Sequence, residues 1–142
     1  ENIQILQEKL DAHAAEHLTA EELVPEIKID ALLSAKTLNL DLVSDLKRLE
    51  PFGMGNPKPV FATKNLSVID DPFVMKDKHL RLRLRDENGK LLEAVWWDGV
   101  AKSDERTLKP NNRIEMAYTA EANTWNGNTR LQLVVKDLRM ED

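Results

Sequence analysis

Three groups of residues in the 142-residue chain have the types and spacing to do chemistry: a histidine pair, an arginine stripe and a set of tryptophans. His13 and His17 stand at i, i+4, a spacing that puts two imidazoles on one helix face as half of a metal site. Neither a Glu-x-x-His frame nor a third nearby histidine accompanies them, and His79 stands alone at the mouth of a strand-like run. Metal-assisted hydrolysis needs clustered Asp and His ligands to hold a divalent ion and activate water. No such cluster is legible, so the expectation is no catalytic residue and no metal ligand in this chain. His13 and His17 then belong to a helix surface or interface, and His79 is a plain surface or DNA-proximal residue.

The arginines carry a clearer pattern. From Lys78 to Arg85, Leu80, Leu82 and Leu84 alternate with Arg81, Arg83 and Arg85. A strand with this period buries the leucines and holds three guanidinium groups on one face, about 7 Å apart. That approximates the phosphate spacing of an extended single strand of nucleic acid. With Lys76, Lys78 and Lys90 set against Asp77, Asp86 and Glu87, the segment keeps a surplus of three positive charges. The competing reading is a solvated strand face neutralised by acids on a neighbour such as Glu93. Aromatics are only 5% of the chain, yet all three tryptophans lie in its second half. Adjacent strand residues face opposite ways, so Trp96 and Trp97 cannot both be core, and the pattern leaves open which of the two is exposed. Trp97 and the hairpin-tip residue Trp125 join Lys78, Arg81, Arg83, Arg85 and Arg130 as candidate nucleic-acid contacts, with stacking on a tryptophan set against its covering the end of a barrel. Lys102, Arg106, Lys109, Arg113 and Lys136 are diluted by Asp104, Glu105 and Glu115 and read as solubilising charge.

These residues have to be positioned by two different kinds of structure. Up to Leu49 the periodicity is helical: Asn2–Leu18 with Ile3, Leu6, Leu10, Ala14 and His17 on one stripe, a cap and turn at Thr19–Glu22, and a second helix over Leu40–Leu49 ended by Pro51. Glu26–Asp30 alternates as a brief strand. The first helix either packs on the following module or docks elsewhere. From Val60 the period is two, giving strands over Val60–Ile69, Lys78–Arg85, Leu91–Trp97, Arg113–Glu121 and Thr129–Leu138. Phe73–Met75 extends or bulges the first of these. Asn88-Gly89 and Asn126-Gly127 mark hairpin turns, and Val100–Leu108 is a short helix or loop. Five strands fit an OB-fold, a small β-sandwich or an SH3-like barrel equally well.

Between the two halves lies Leu49-Glu-Pro-Phe-Gly-Met-Gly-Asn-Pro-Lys-Pro-Val-Phe61. Its prolines stop a helix and enforce extended backbone, and its glycines are expected to take positive φ. Pro51, Phe52, Gly53, Gly55, Asn56 and Pro57 therefore read as structural. No phosphate-binding loop is present, because no glycine-rich turn enters a helix. This stretch resembles, without a gap, the signature of the RecJ family, single-strand-specific DNA exonucleases of the DHH phosphoesterase superfamily. The resemblance extends back through Ile29-Asp30 and forward through Ala94–Trp97 and Asn126-Gly127 to Leu131–Leu133. It selects the OB-fold, so the expected class is α+β: a mainly β, five-stranded Greek-key barrel with a helical extension. Residues 1–50 would be the linker from the DHH-associated domain, 51–59 the connector and 60–142 the OB-fold.

Charge agrees with that division. Residues 1–59 carry 6 basic and 11 acidic side chains, and residues 60–142 carry 14 of each. The absence of cysteine excludes disulfides and thiolate metal sites and suits a cytoplasmic protein, and no segment has the length and apolarity to span a membrane. By resemblance, the intact enzyme would degrade single-stranded DNA from its five-prime end in recombination and repair. Mn or Mg would be held in a catalytic domain outside this chain. The module would hold and feed the strand, with the remaining catalytic domains, single-stranded-DNA-binding protein or other repair factors as further partners. The alternative function is protein interaction, with the module docking on the catalytic core or a repair partner.

Overall fold

The computed structural model describes residues 2–19, 24–103 and 108–141. The segment read as a cap and turn at Thr19–Glu22, and the charges Asp104, Glu105 and Arg106, fall largely or wholly outside the described residues. Helix α1 (Asn2–His17) buries none of its side chains, and Ile3 remains 81% exposed. The apolar stripe therefore does not pack on the module that follows. His17 Nδ1 lies 2.9 Å from the His13 carbonyl oxygen and the two rings stack at 4.0 Å. Such a pair is a local helix-surface arrangement.

The brief strand expected at Glu26–Asp30 forms a few residues later, as β1 (Ala31–Leu32). It pairs parallel to β2 (Phe61–Val68). The Asp30 carboxylate fixes the entry to this pairing by accepting the Val60 N–H at 2.9 Å. Asn39 caps α2 (Leu40–Leu46), its side-chain oxygen accepting the Leu42 N–H at 2.9 Å. Helix α2 tightens into a 3-10 turn over Lys47–Leu49 before Pro51, and it brings Val43 into the core.

Among the described residues there are seven strands, not five. The others are β3 (Phe73–Met75), β4 (His79–Arg85), β5 (Leu91–Trp96), β6 (Arg113–Trp125) and β7 (Asn128–Met140), with a short helix, α3 (Gly99–Lys102), between β5 and β6. The five long strands pair in the order β2–β4–β5–β7–β6, and β6 returns to β2, so the hydrogen bonding closes into a ring. All ring pairings are antiparallel except β5–β7. The two short strands are added at the edges. Phe73–Met75 does not extend β2; it pairs with β4 across a turn whose central residues, Lys76 and Asp77, both have positive φ. Hairpin turns of that geometry ordinarily use Asn and Gly, which is why the sequence does not advertise this one.

The ring closes because β2 bends. Its register slips between Thr63 and Leu66, where Asn65 adopts a φ of 56° and its N–H reaches the Glu141 carboxylate. A bulge of this kind sharpens the local twist. β2 thereby pairs with β6 on both sides of the bulge, from Phe61 to Ser67, and also with β4 at Ser67–Val68. Leu66, Leu82, Leu84, Ile114, Met116, Leu133 and Leu138 fill the interior.

Polar groups are sealed in with them, Thr63 and Thr119 among them. Tyr118 is buried, its hydroxyl 2.7 Å from Thr63 Oγ1, which in turn donates to the Leu33 carbonyl at 2.9 Å. Burial pushes the phenol from its ordinary 10.0 up to about 12. The unfolded chain ionises first, so this group's stabilising effect is complete below pH 10 and falls as pH rises toward 12, by about 1.4 kcal/mol per unit. Urea unfolding midpoints measured across that range should show the decline in the parent chain. The Tyr118→Phe variant should lack that component of it.

Candidate nucleic-acid interface

The alternation read from β4 is realised: Leu80, Leu82 and Leu84 are buried, and Arg81, Arg83 and Arg85 are exposed on one face. Register extends this face sideways. Arg81 pairs with Phe73 on β3 and with Val95 on β5, Arg83 lies opposite Glu93, and Arg85 lies opposite Leu91.

The three arginines are not equivalent. Arg83 donates to Asp70 at 2.6 Å and also faces Glu93 across the strand pair, so the neutralising acid is chiefly Asp70. Arg81 lies over the exposed Phe73 ring at 4.9 Å from its centroid, a cation–π arrangement. Arg85 makes no side-chain ion pair among the described residues. Lys78 sits 3.5 Å from Asp98 in an exposed setting that gives the pair little strength.

The tryptophans divide as strand parity requires. Trp96 is 1% exposed and Trp97 48% exposed. Gly99 leaves room for the Trp96 ring, because a Cβ there would come within 3.0 Å of both Trp96 and Leu80. The Trp97 ring meets the edge of His79 at 4.8 Å. His79 Nδ1 accepts the Asp98 N–H at 2.9 Å, and Lys102 Nζ donates to the Trp97 carbonyl at 3.0 Å. His79, its side chain only 19% exposed, is thus a supporting group for an exposed tryptophan.

Trp125 is at the end of β6 rather than in a loop. It is 76% exposed beside the Asn126-Gly127 turn, both of whose residues have positive φ. With Arg130 it lines a cleft of about 280 Å³ whose walls also include Asn123, Asn126, Asn128 and Gln132. Glu93 closes the side facing β5. A second cleft of about 290 Å³ shares Glu93, Arg130 and Leu131 and continues past Leu91 and Lys90. The two follow the gap where β5 and β7, paired only at Ala94–Val95 with Leu133–Val134, move apart.

The expected residues therefore form two patches. Lys78, Trp97 and Arg81 lie toward one end of β4, while Arg85, Arg130 and Trp125 lie toward the other, with about 20 Å of strand between His79 and Arg85. The sequence reading missed Phe73, whose strand was hidden by its turn, and the four amides of the Trp125 cleft. The amides had no signal of their own, because the strand register brings them together. Amide groups beside a tryptophan can hydrogen-bond base edges while the ring stacks on a base; the flanking arginines can meet phosphates. Among the described residues no three His, Asp or Glu side chains are grouped to hold a metal ion. No described helix is long and apolar enough to cross a membrane.

Two glycines depart from expectation. Neither Gly53 nor Gly55 has positive φ. The loop is held by reciprocal Gly53–Asn56 backbone hydrogen bonds at 2.9 and 3.1 Å, and by the Asn56 amide donating to the Leu49 and Pro51 carbonyls at 2.8 and 3.0 Å. The Asn56 side chain thus ties the signature loop to the residues at its start. Glu50–Pro51 is a cis peptide.

A family profile described as the RecJ OB domain matches residues 29–137. The chain is 26% identical over 144 aligned residues to the single-stranded-DNA-specific exonuclease RecJ of Bacillus subtilis, covering all of this chain and 18% of that protein. The Haemophilus influenzae enzyme of the same name is 30% identical over 125 residues, 85% of this chain and 21% of that protein. A crystal structure of Thermus thermophilus RecJ in complex with Mn2+ matches with a TM-score of 0.69 and 25% identity, covering 98% of this chain and 19% of that one. The chain spans about a fifth of the length of these relatives.

The tryptophan assignment is directly checkable. With Trp97 and Trp125 both changed to Phe, the remaining emission from Trp96 should be blue-shifted and poorly quenched by acrylamide. Gly99→Ala should lower stability by about 1–3 kcal/mol through overpacking against Trp96 and Leu80, read by urea unfolding.

Proposed function

Because this chain belongs to the RecJ OB-domain family, we propose that it is the single-stranded-DNA-binding module of a RecJ-like, single-strand-specific exonuclease acting in the cytoplasm in DNA recombination and repair. The ring of five strands is read as the Greek-key barrel of that fold, with β1 and β3 as edge additions. The module holds the strand and passes it to catalytic domains outside this chain, alongside other repair factors. The divisions at Glu50 and Pro59 stand as our proposal for the functional parts, although Ala35, Leu38 and Val43 of the first part enter the common core. Hydrolysis would need Mn or Mg, as implied for the catalytic domain. The described residues have no donor set that fits either ion, so no hydrolytic step is assigned to them.

The observation that carries this reading is the Trp125–Arg130 cleft opening along the β5–β7 gap toward Leu91 and Arg85. It offers, in one continuous path, an aromatic face, amides and arginines that make no ion pair among the described residues. The DNA-binding set is Lys78, Arg81, Arg83, Arg85, Trp97, Trp125 and Arg130. The ion pairs already formed give Arg83 and Lys78 smaller shares than Arg85 and Arg130.

Fluorescence anisotropy of a labelled single-stranded oligonucleotide, run from low to high salt, tests the reading. Binding should weaken with salt. Arg85→Ala and Arg130→Ala should each flatten the log–log slope by about 0.7, the value for one phosphate contact on a single strand. Trp125→Ala should cost about 1–3 kcal/mol of affinity, and Arg83→Ala should do least. Absence of binding at low salt by the folded chain would overturn the reading in favour of a protein-docking role.

A further inference from the structure

The loop between α2 and β2 contains glycines that this chain does not require. A Cβ built on Gly53 or Gly55 meets nothing within 4 Å, and neither backbone is left-handed. Glycine is otherwise useful where another backbone or a ligand must approach closely. Between the two glycines Met54 is fully exposed, with Leu49 half-exposed nearby. The loop is nonetheless well determined, because the Gly53–Asn56 hydrogen bonds and the Asn56 amide close it on itself. Among the described residues, the peptide groups of Met54 and Gly55 make no hydrogen bond.

We infer that Gly53-Met54-Gly55 is a docking tip that inserts into the remaining part of a RecJ-type polypeptide, Met54 entering an apolar socket and the two bare glycines allowing backbone-to-backbone approach. The chemistry of the tip favours protein over DNA. It carries no charge, and Lys58, the nearest cation along the sequence, is occupied by Glu121. Methionine adapts to irregular apolar surfaces. Relatives devote about four-fifths of their length to other parts, and this chain has a second unpartnered apolar surface in Ile3, Leu6 and Leu10 of α1. Beside the tip, Phe52, Val43 and Leu46 share a cleft of about 250 Å³ with the charged Lys47, Glu50 and Glu121, a mixed rather than an apolar surface.

The test grafts this chain in place of the matched fifth of Bacillus subtilis RecJ. The chain has no cysteine, so M54C provides its single site for a maleimide-linked benzophenone. Irradiation should give cross-links, dependent on M54C, that mass spectrometry maps to RecJ residues outside the graft. G53A/G55A should reduce their yield several-fold. In the isolated chain the same double substitution should leave oligonucleotide binding unchanged. It should also hold or raise the melting temperature, by about 1–4 °C per site, since alanine suits backbone that is not left-handed.

A melting temperature lowered by several degrees in the isolated G53A/G55A chain would overturn the proposal, because the glycines would then serve the module's own fold. Cross-links only to added single-stranded DNA, or no cross-link dependent on M54C, would also overturn it. The DNA-binding reading is measured separately on the isolated chain, so either can fail without the other.

Discussion

The pairing of β2 with β4 at Ser67–Val68 is the contact on which the rest of the structure depends. Only two residue pairs form it, with the Ile69 N–H adding a bond to the Arg83 carbonyl at 2.9 Å. Without it the ring would be open between β2 and β4, each still paired on its other side. The bulge at Asn65 makes the pairing geometrically accessible by bending β2 out of register with β6. Once the ring is closed, every inward position is committed to the core and every outward position of β4 to the surface. The arginine face is therefore a consequence of closure.

Closure also leaves an opening. β5 and β7 run parallel and stay bonded over just two residue pairs, so their ends separate while the β6–β7 hairpin extends beyond the core. The Trp125 cleft lies at this divergence. Its polar lining costs little because the hairpin arm is solvated, and its tryptophan is exposed because no described element packs over the arm. A surface aromatic flanked by amides and arginines is chemically matched to a flexible strand that presents bases and phosphates alternately. Charge alone would have suggested a stronger role for the centre of the stripe. Asp70 and Glu93 lower the positive potential there and leave the two ends of the face as the more available cations.

Local chemistry and long-range assembly explain different parts of the turns. Asn126-Gly127 has both residues in left-handed conformation, as its dipeptide specifies. In the Asn88-Gly89 turn only Gly89 has positive φ, because the Asp86 carboxylate accepts the N–H groups of Asn88 and Lys90 and reshapes the loop. The Lys76-Asp77 turn takes a conformation its residues do not favour, held by the β3–β4 pairing on either side. Gly53 and Gly55 show the reverse case, a permissive sequence in an undemanding backbone.

The sequence by itself determined the change from helical to strand periodicity at the proline-rich connector, the inward leucines and outward arginines of β4, that Trp96 and Trp97 could not both be core, and the positions of the two Asn-Gly turns. These follow from side-chain periodicity and backbone preferences, which act over a few residues. Tertiary structure alone decided that Asp70 would occupy Arg83 and that Phe73 would lie under Arg81. It also decided that amides from both arms of a hairpin would surround Trp125, and that β1 would join the sheet. Those outcomes depend on strand register and ring closure, which bring together residues distant along the chain and leave no periodic trace in it.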